Sequence, residues 1–454
     1  MTENNHQDSE EQHDSASEID ENDSDSLEKL EFIQSIPGRL VSVRGLVERI
    51  IEQFHEEHGE DESALAAAAD SDGARRALVR DVADYIFGIE SIQLGLKEQA
   101  QIIAQAYREI YSFGPLDALL QDARITTIAL EGAEKVAVRY GPGKELQQLA
   151  PIFDDIPQMR SAIQKLLRRA GADLRREIPI IEAGLVTDDK RRICVSVASP
   201  SFTPQIAADI RIHQAQLPTL EDLVQSEFMP EKAAQLLRAI VQSEHGIILI
   251  GETESGKTTL LSILAQLLAN PEKAIAVERA CELRLPEPIQ RLTVQWPFEG
   301  QGGVSFGRQI QNALDKQPDV LLLDEIRADE PESIAALLQY PNTPRQIWAF
   351  RGSSASSRIR SALGMVARMA GQNQPEAMVY ELYTRLPFIV VVKRRRGYLQ
   401  LREIAEWQFP DDADSSNDLV YADYRPLMAR EWGELELSGI RAKKALDLPD
   451  DFWR

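Results

Sequence analysis

Residues 246–261 read Gly-Ile-Ile-Leu-Ile-Gly-Glu-Thr-Glu-Ser-Gly-Lys-Thr-Thr-Leu-Leu. An apolar run, Ile247 to Ile250, meets a glycine-anchored loop, and a helical run from Thr259 to Leu268 follows at once. Few segments constrain a chain as tightly, because a strand that feeds a helix through such a loop belongs in the sheet of an α/β domain. The spacing from Gly251 to Thr258 is that of a Walker A phosphate cradle. Backbone N–H groups of the loop and of the helix N-terminus point at anionic phosphate, Lys257 reaches the terminal phosphates, and Thr258 offers a hydroxyl to Mg²⁺. The candidate holding residues are Gly251, Glu252, Thr253, Glu254, Ser255, Gly256, Lys257, Thr258 and Thr259. Glu254 is out of place among them, since its carboxylate stands where phosphate charge must approach. It is expected to weaken binding unless the side chain turns outward.

Size and charge bound the rest. With 454 residues, 43% of them hydrophobic, the chain can fill two or three domains of ordinary size. It has only Cys194 and Cys281 and no basic-then-apolar leader, so neither a disulfide framework nor a secretory signal is expected, and the cytoplasm is the expected compartment. The longest apolar runs, such as Leu386 to Val392, fall far short of the roughly 20 residues that span a bilayer, so a membrane role would be peripheral. A net charge of -23 disfavours nucleic acid, whose backbone demands clustered Lys and Arg, and favours protein partners.

Composition and periodicity divide the chain. Residues 1–31 are acidic and almost free of apolar side chains, and are expected to be a disordered tail. Apolar residues at helical spacing over Gly38 to His58, Ala74 to Phe87 and Leu94 to Tyr111 predict a helical N-terminal segment over 32–112, with a joint from Ala64 to Gly73. Short β-type runs around a helix from Met159 to Ala170 predict a small α+β domain over 113–228. Over 229–410, strands at 247–250, 274–278, 292–296, 320–324 and 346–350 alternate with helices at 257–269, 305–315 and 330–339, the pattern of an open, largely parallel sheet with helices on both faces. Residues 411–454 are left as a C-terminal extension.

Further chemistry clusters around the cradle. Val320-Leu-Leu-Leu-Asp324-Glu325 is an apolar strand ending in two carboxylates and reads as Walker B. One carboxylate, Asp324, would hold Mg²⁺ with Thr258, while Glu325 orients or deprotonates the attacking water. Glu278 and Glu282 flank the end of the next strand and are either acid–base or metal-organising groups or part of a solvated loop. Arg192 and Arg211 lie on strands of the preceding domain, where a guanidinium could meet phosphate across a cleft or pair with a neighbouring carboxylate. Three weaker patterns are set aside. His55 and His58 are three apart, where a zinc helix needs four. Gly300-Gln-Gly302-Gly303 lacks the strand-to-helix turn of a dinucleotide site, and Lys393-Arg-Arg-Arg396-Gly397 reads as an exposed hairpin turn.

Taken in order, the motifs resemble the secretion and pilus-assembly traffic ATPases (type II/IV secretion ATPases), most closely the branch serving tight-adherence (Flp) pili. The resemblance covers most of residues 100–407 and rests on Phe113-Gly-Pro-Leu-Asp117, Arg175-Arg-Glu-Ile-Pro-Ile-Ile-Glu-Ala183, Asp209-Ile-Arg-Ile212, Leu220-Glu-Asp-Leu-Val224, the cradle, Glu282-Leu-Arg-Leu285, Asn312-Ala-Leu314, Pro318-Asp319 and Asp324-Glu-Ile-Arg327. It implies an ATP-binding, RecA-like motor domain paired with an N-terminal domain, ATP and Mg²⁺ at the joint, and a hexameric ring docked on an inner-membrane platform protein at the cytoplasmic face. Arg192 and Arg211 match family arginines that reach the nucleotide, and Glu325 matches the Walker B glutamate. The sequence departs from the family at Glu254, where glycine is usual, and at Arg279, where an aspartate follows the glutamate. It departs also at Gln311, Asp315 and Gln317 in place of arginines, and at Arg351 in place of the histidine that senses γ-phosphate. These departures imply, as the alternative to a motor, a nucleotide-binding structural or regulatory subunit that assembles with an active paralogue.

Overall fold

The computed structural model describes residues 32–34, 40–58, 72–175, 177–187, 190–199, 203, 205–298, 300–339, 342–371, 374–410, 422–430 and 433–454. The acidic tail expected over 1–31 and most of the joint expected at 64–73 lie outside the described residues. The chain forms two compact units, 1–112 and 113–454.

In the first unit a short hairpin, β1 (Phe32–Gln34) with β2 (Leu40–Ser42), precedes helices α1 (Val43–His58), α2 (Asp72–Ile89) and α3 (Leu96–Tyr111). The helix expected from Gly38 starts later. Leu40 pairs with Gln34 and Ser42 with Phe32, and the helical spacing of buried side chains begins only at Leu46, Val47, Ile50 and Phe54. Those residues pack on Val79, Val82 and Ile86 of α2 and on Ile102 and Ala106 of α3. His55 and His58 set their rings edge-on to Phe54.

The second unit holds two sheets. Strands β3 (Ile125–Glu131), β4 (Lys135–Tyr140), β5 (Gln147–Leu149), β6 (Ile180–Val186), β7 (Arg192–Ala198) and β8 (Ala207–His213) form an antiparallel sheet in the order β5-β4-β3-β8-β7-β6. Helices α4 (Leu116–Gln121) and α5 (Ile156–Arg169) accompany it. Asp155 caps α5 by accepting the Gln158 N–H, and Met159, Ile163, Leu166 and Leu167 bury its apolar face in the same core as Ile128, Val195 and Ile210. Two short helices, α6 (Leu220–Gln225) and α7 (Glu231–Gln242), lead onward; Thr219 and Asp222 close a capping box on α6.

The second sheet runs β11 (Gln290–Thr293), β10 (Ala274–Glu278), β12 (Val320–Ile326), β13 (Arg345–Arg351), β9 (Ile247–Gly251), β14 (Phe388–Arg395), β15 (Tyr398–Gln408), β16 (Asp423–Ala429), β17 (Glu436–Leu437) across its width. The first six are parallel and the last three antiparallel. All five residues of β9 are buried, which requires cover on both faces. Alternation supplies it. Ile247 and Leu249 pack with Leu236 and Ile240 of α7 and with Leu260 and Leu264 of α8 (Lys257–Gln266). Ile248 and Ile250 face the other way, toward Ile310, Leu337, Leu363 and Leu382 on α9 (Phe306–Leu314), α10 (Glu332–Gln339), α11 (Ser356–Ala370) and α12 (Pro375–Arg385). This is the RecA-like P-loop architecture.

The stretch expected as a C-terminal extension instead continues this sheet. β16 pairs with β15 and β17 with β16, while Leu427, Met428, Leu435 and Phe452 join the core on the face of α7 and α8. Pro426 sits where the register of β16 shifts, a position at which a missing N–H is tolerated. Residues 411–421 lie outside the described residues. Among the described residues no helix is long and apolar enough to cross a membrane.

Candidate nucleotide cleft

The loop from Gly251 to Lys257 turns at the C-terminal end of β9. A Cβ on Gly251 would lie 2.3 Å from Ser255 Oγ and 2.7 Å from the Val392 carbonyl, so only glycine fits there. Gly256, at φ 95°, caps α8 in the left-handed region that other residues avoid. The Ser255 hydroxyl is buried and has no hydrogen-bond partner among the described residues. Such an orphan donor, beside a helix start whose first N–H groups lack partners within the helix, fits a bound anion.

Two side chains at the helix start reach the end of β12. Lys257, almost wholly buried, donates to the Glu252 carbonyl at 2.9 Å and pairs with Glu325 Oε2 at 3.0 Å. Thr258 donates its hydroxyl to Asp324 Oδ1 at 3.3 Å. Asp324 and Glu325 lie inside β12, which runs on to Ile326; Asp324 pairs in register with Glu278 and Ala349, while Glu325 falls at the register shift that follows. Burial, followed by the charges of Glu282, Glu325 and Glu278, pushes the Asp324 carboxyl well above its usual range. Burial also opposes charge on Glu325, but Lys257, Arg327 and Arg351 outweigh it and hold that carboxyl below its ordinary value. A neighbouring pair thus splits in its proton affinity. A hydroxyl and a carboxylate are the hard oxygen donors that a small divalent cation takes alongside phosphate oxygens.

The antiparallel-sheet domain supplies the facing wall. Arg211 on β8 pairs with Glu282 Oε1 at 2.9 Å, and His213 Nε2 lies 3.5 Å from Glu282 Oε2. Burial works against ionisation of Glu282, yet Arg211 and His213 keep it far below the usual carboxylate range. Arg327 pairs with Glu182 at 2.6 Å, and Trp296 Nε1 donates to the Glu182 carbonyl at 2.6 Å. Between the two walls lies a cleft of about 640 Å³ lined by Arg211, His213, Glu254 to Thr259, Glu282, Glu325 and the apolar Phe228, Tyr398 and Leu399.

Not every candidate reaches this cleft. Glu278 is fully buried, with Arg291 at 2.7 Å and the Leu283 N–H donating at 2.9 Å; burial raises its proton affinity, and Arg291 only partly offsets this. Its surroundings are those of a structural ion pair. Arg291→Ala, which strands that charge, is expected to lower unfolding stability by about 3–5 kcal/mol. Chemical denaturation measures it, and a loss below about 1 kcal/mol would mean Glu278 does not depend on Arg291. Arg192 donates to the carbonyl and sulfur of Cys281 at 3.1 and 3.0 Å and is absent from the cleft lining. Glu252 and Thr253 are exposed at the loop's outer turn. Arg279 donates to the Glu325 carbonyl at 2.9 Å, pairs with Glu330 at 2.8 Å and lies over the Phe306 ring. A residue that departs from the family thereby steadies the backbone of Glu325.

Glu254 stays in the cleft lining, its carboxylate held by partners on both sides. At φ 57° its side chain turns to Thr127 and Arg139 of the facing domain and to Arg394 of the β14–β15 hairpin. Sequence reasoning missed Thr127, Arg139 and Tyr398. The one signal for them was the isolated arginine in the β-type run Lys135 to Tyr140, which alternation alone could not direct toward the cleft.

A mostly parallel sheet with a glycine-anchored loop at the end of its central strand, opening into a cleft, defines a nucleotide-binding P-loop domain. Residues 185–343 match the family model described as type II/IV secretion system protein. A Mycobacterium tuberculosis protein provisionally described as a conjugal transfer protein is 25% identical over 338 residues, covering 69% of this chain and 94% of the relative. The type IV secretion system protein VirB11 of Brucella suis is 24% identical over 302 residues, covering 61% and 82% respectively. Among solved structures, the Legionella pneumophila ATPase DotB aligns at a TM-score of 0.44 with 14% identity, covering 67% of this chain and 83% of that one. Over the matched residues the chain is similar to the type II/IV secretion system proteins, VirB11 among them.

Proposed function

We propose that the protein is an ATP-binding and ATP-hydrolysing motor subunit of a secretion or pilus-assembly machine, of the tight-adherence branch. The observation that carries this reading is the cleft itself: the 251–256 loop and the first turn of α8, with Lys257 on Glu325 and Thr258 on Asp324, open toward Arg211 of a second domain. A ligand held there touches both domains, so its binding and loss can move one against the other. The loop N–H groups, the Ser255 hydroxyl and Lys257 hold the phosphates of ATP, and Glu325 takes the position from which a carboxylate aligns water. Thr258 and Asp324 would hold Mg²⁺, which supplies charge neutralisation of the phosphates. The protein works at the cytoplasmic face of the inner membrane, as a ring bound to a platform protein.

A second reading, a nucleotide-binding structural or regulatory subunit beside an active paralogue, is favoured by Arg351 at the family's histidine position and by Arg279 committed to Glu330. Assembly tests what both readings share. With Mg-ATP the purified protein, alone or with its paralogue, should form a closed cyclic oligomer, most simply sixfold, because a head-to-tail interface must close or grow into filaments. Size exclusion with light scattering reads the mass. A strict monomer in every nucleotide state, with paralogue and platform present, would end the ring assignment.

A further inference from the structure

The phosphate-binding loop is tied to the rest of the molecule by a charge that its own position disfavours. Glu254 is one of few non-glycine residues in the left-handed region, where a Cβ carries a steric cost. What the loop gains is a three-way contact. Glu254 Oε1 accepts the Thr127 hydroxyl at 2.7 Å, and Oε2 pairs with Arg139 at 2.7 Å and with Arg394 at 3.3 Å. Thr127 and Arg139 belong to neighbouring strands β3 and β4 of the facing domain, and Arg394 to the basic hairpin of the motor sheet. The Arg139 side chain is buried to all but 6%, and it also donates to the Lys144 carbonyl at 2.7 Å. Its Nε has no partner among the described residues. The loop holding Gly143 and Lys144 in turn rests on the hairpin tip, with Lys144 Nζ 4.7 Å from the centre of the Tyr398 ring.

Resting on the nucleotide reading of the cleft, we propose that Glu254 is a positioning residue that locks the phosphate-binding loop to the facing domain, with Arg139 as its obligatory counter-charge. Two consequences follow from its chemistry. A carboxylate between two guanidinium groups is neutralised, so phosphates can enter the loop beside it. Without Arg139 the same carboxylate repels them. Because the tie runs from the loop straight to β3 and β4, displacement of the loop by a bound nucleotide would pull on or break a contact with the facing domain.

Charge rescue separates this from a role for Arg139 as a direct phosphate ligand. In titration calorimetry of the full chain with Mg-ADP and Mg-ATP, Arg139→Gln should weaken binding by about tenfold, and Arg139→Lys by much less. Glu254→Gln added to Arg139→Gln should recover affinity to within about threefold of the parent. A double variant that binds no better than Arg139→Gln alone overturns the proposal. Hydrogen exchange on the nucleotide-free protein gives an independent readout: Glu254→Gln should speed exchange over 125–131 and 251–256 and leave α5 unchanged. Unchanged exchange in both segments would equally overturn the tie. If the parent takes up no nucleotide, the proposed function falls, while the exchange result still decides the tie.

Discussion

Glu325→Gln should bring ATP turnover down to background while leaving Mg-ATP binding intact or tighter. Glu325 is the carboxylate held below its ordinary proton affinity by Lys257, Arg327 and Arg351 despite burial, so it is charged throughout the neutral range and able to accept a proton bond from water. A depressed carboxyl contributes stability above its unfolded-state value and loses it as pH falls through the folded one. The role of Glu325 should therefore persist from neutral pH down to below the usual carboxylate range. The amide keeps the shape but neither the charge nor the basicity, and it releases Lys257 from the 3.0 Å pair toward phosphate. Steady-state phosphate release with and without the substitution, beside calorimetric binding, checks both halves. A parent rate already equal to the Glu325→Gln background would leave the nucleotide-binding subunit as the working description. The parent is expected to be slow, well below the enzyme median of about 10 s⁻¹, because by the resemblance Arg351 stands where a γ-phosphate-sensing histidine is usual, and Gln311, Asp315 and Gln317 stand where arginines are usual.

Lys257→Ala should weaken Mg-ATP binding by about tenfold or more, since a charge-assisted bond to phosphate is worth roughly 1.5–3 kcal/mol. The effect reaches further than one lost contact. Lys257 is nearly buried and is the first group that offsets the desolvation of Glu325, so the variant leaves an acid facing the phosphates with only Arg327, at 3.5 Å, and the more distant Arg351 beside it. Repulsion then adds to the missing attraction. Calorimetry on the two proteins decides, and equal affinities would remove the 251–259 loop from the nucleotide argument. The double variant Lys257→Ala with Glu325→Gln should bind better than Lys257→Ala alone.

How far the sequence carried the reading can be seen residue by residue. Gly251, Gly256, Lys257 and Thr258 were legible because their roles are local: each follows from a turn, a cap or a helix start defined within eight residues. The parallel strands were legible because burial on both faces writes a continuous apolar run. The surroundings of Glu278 and Arg192 were left open by the sequence, because which way a strand-end side chain turns depends on Arg291 and Cys281, which meet them only after folding. The same holds for Arg139, which reaches Glu254 across more than a hundred residues of chain. Strand β16 escaped because Pro426 argues against a strand until the register shift that accommodates it is seen.

That late strand has a practical meaning. β15 presents the second edge of its C-terminal half, Glu403 to Gln408, to β16, and the buried residues there include Ile404, Ala405 and Trp407. A chain cut at residue 410 would leave the stretch Glu403 to Gln408 of that edge unpaired, a template for adhesion between copies. Insoluble protein from such a truncation would say nothing about the loop or the cleft. Phe452 is buried and the Arg454 carbonyl accepts a hydrogen bond from Lys232 Nζ, so an affinity tag joined after Arg454 needs a flexible spacer.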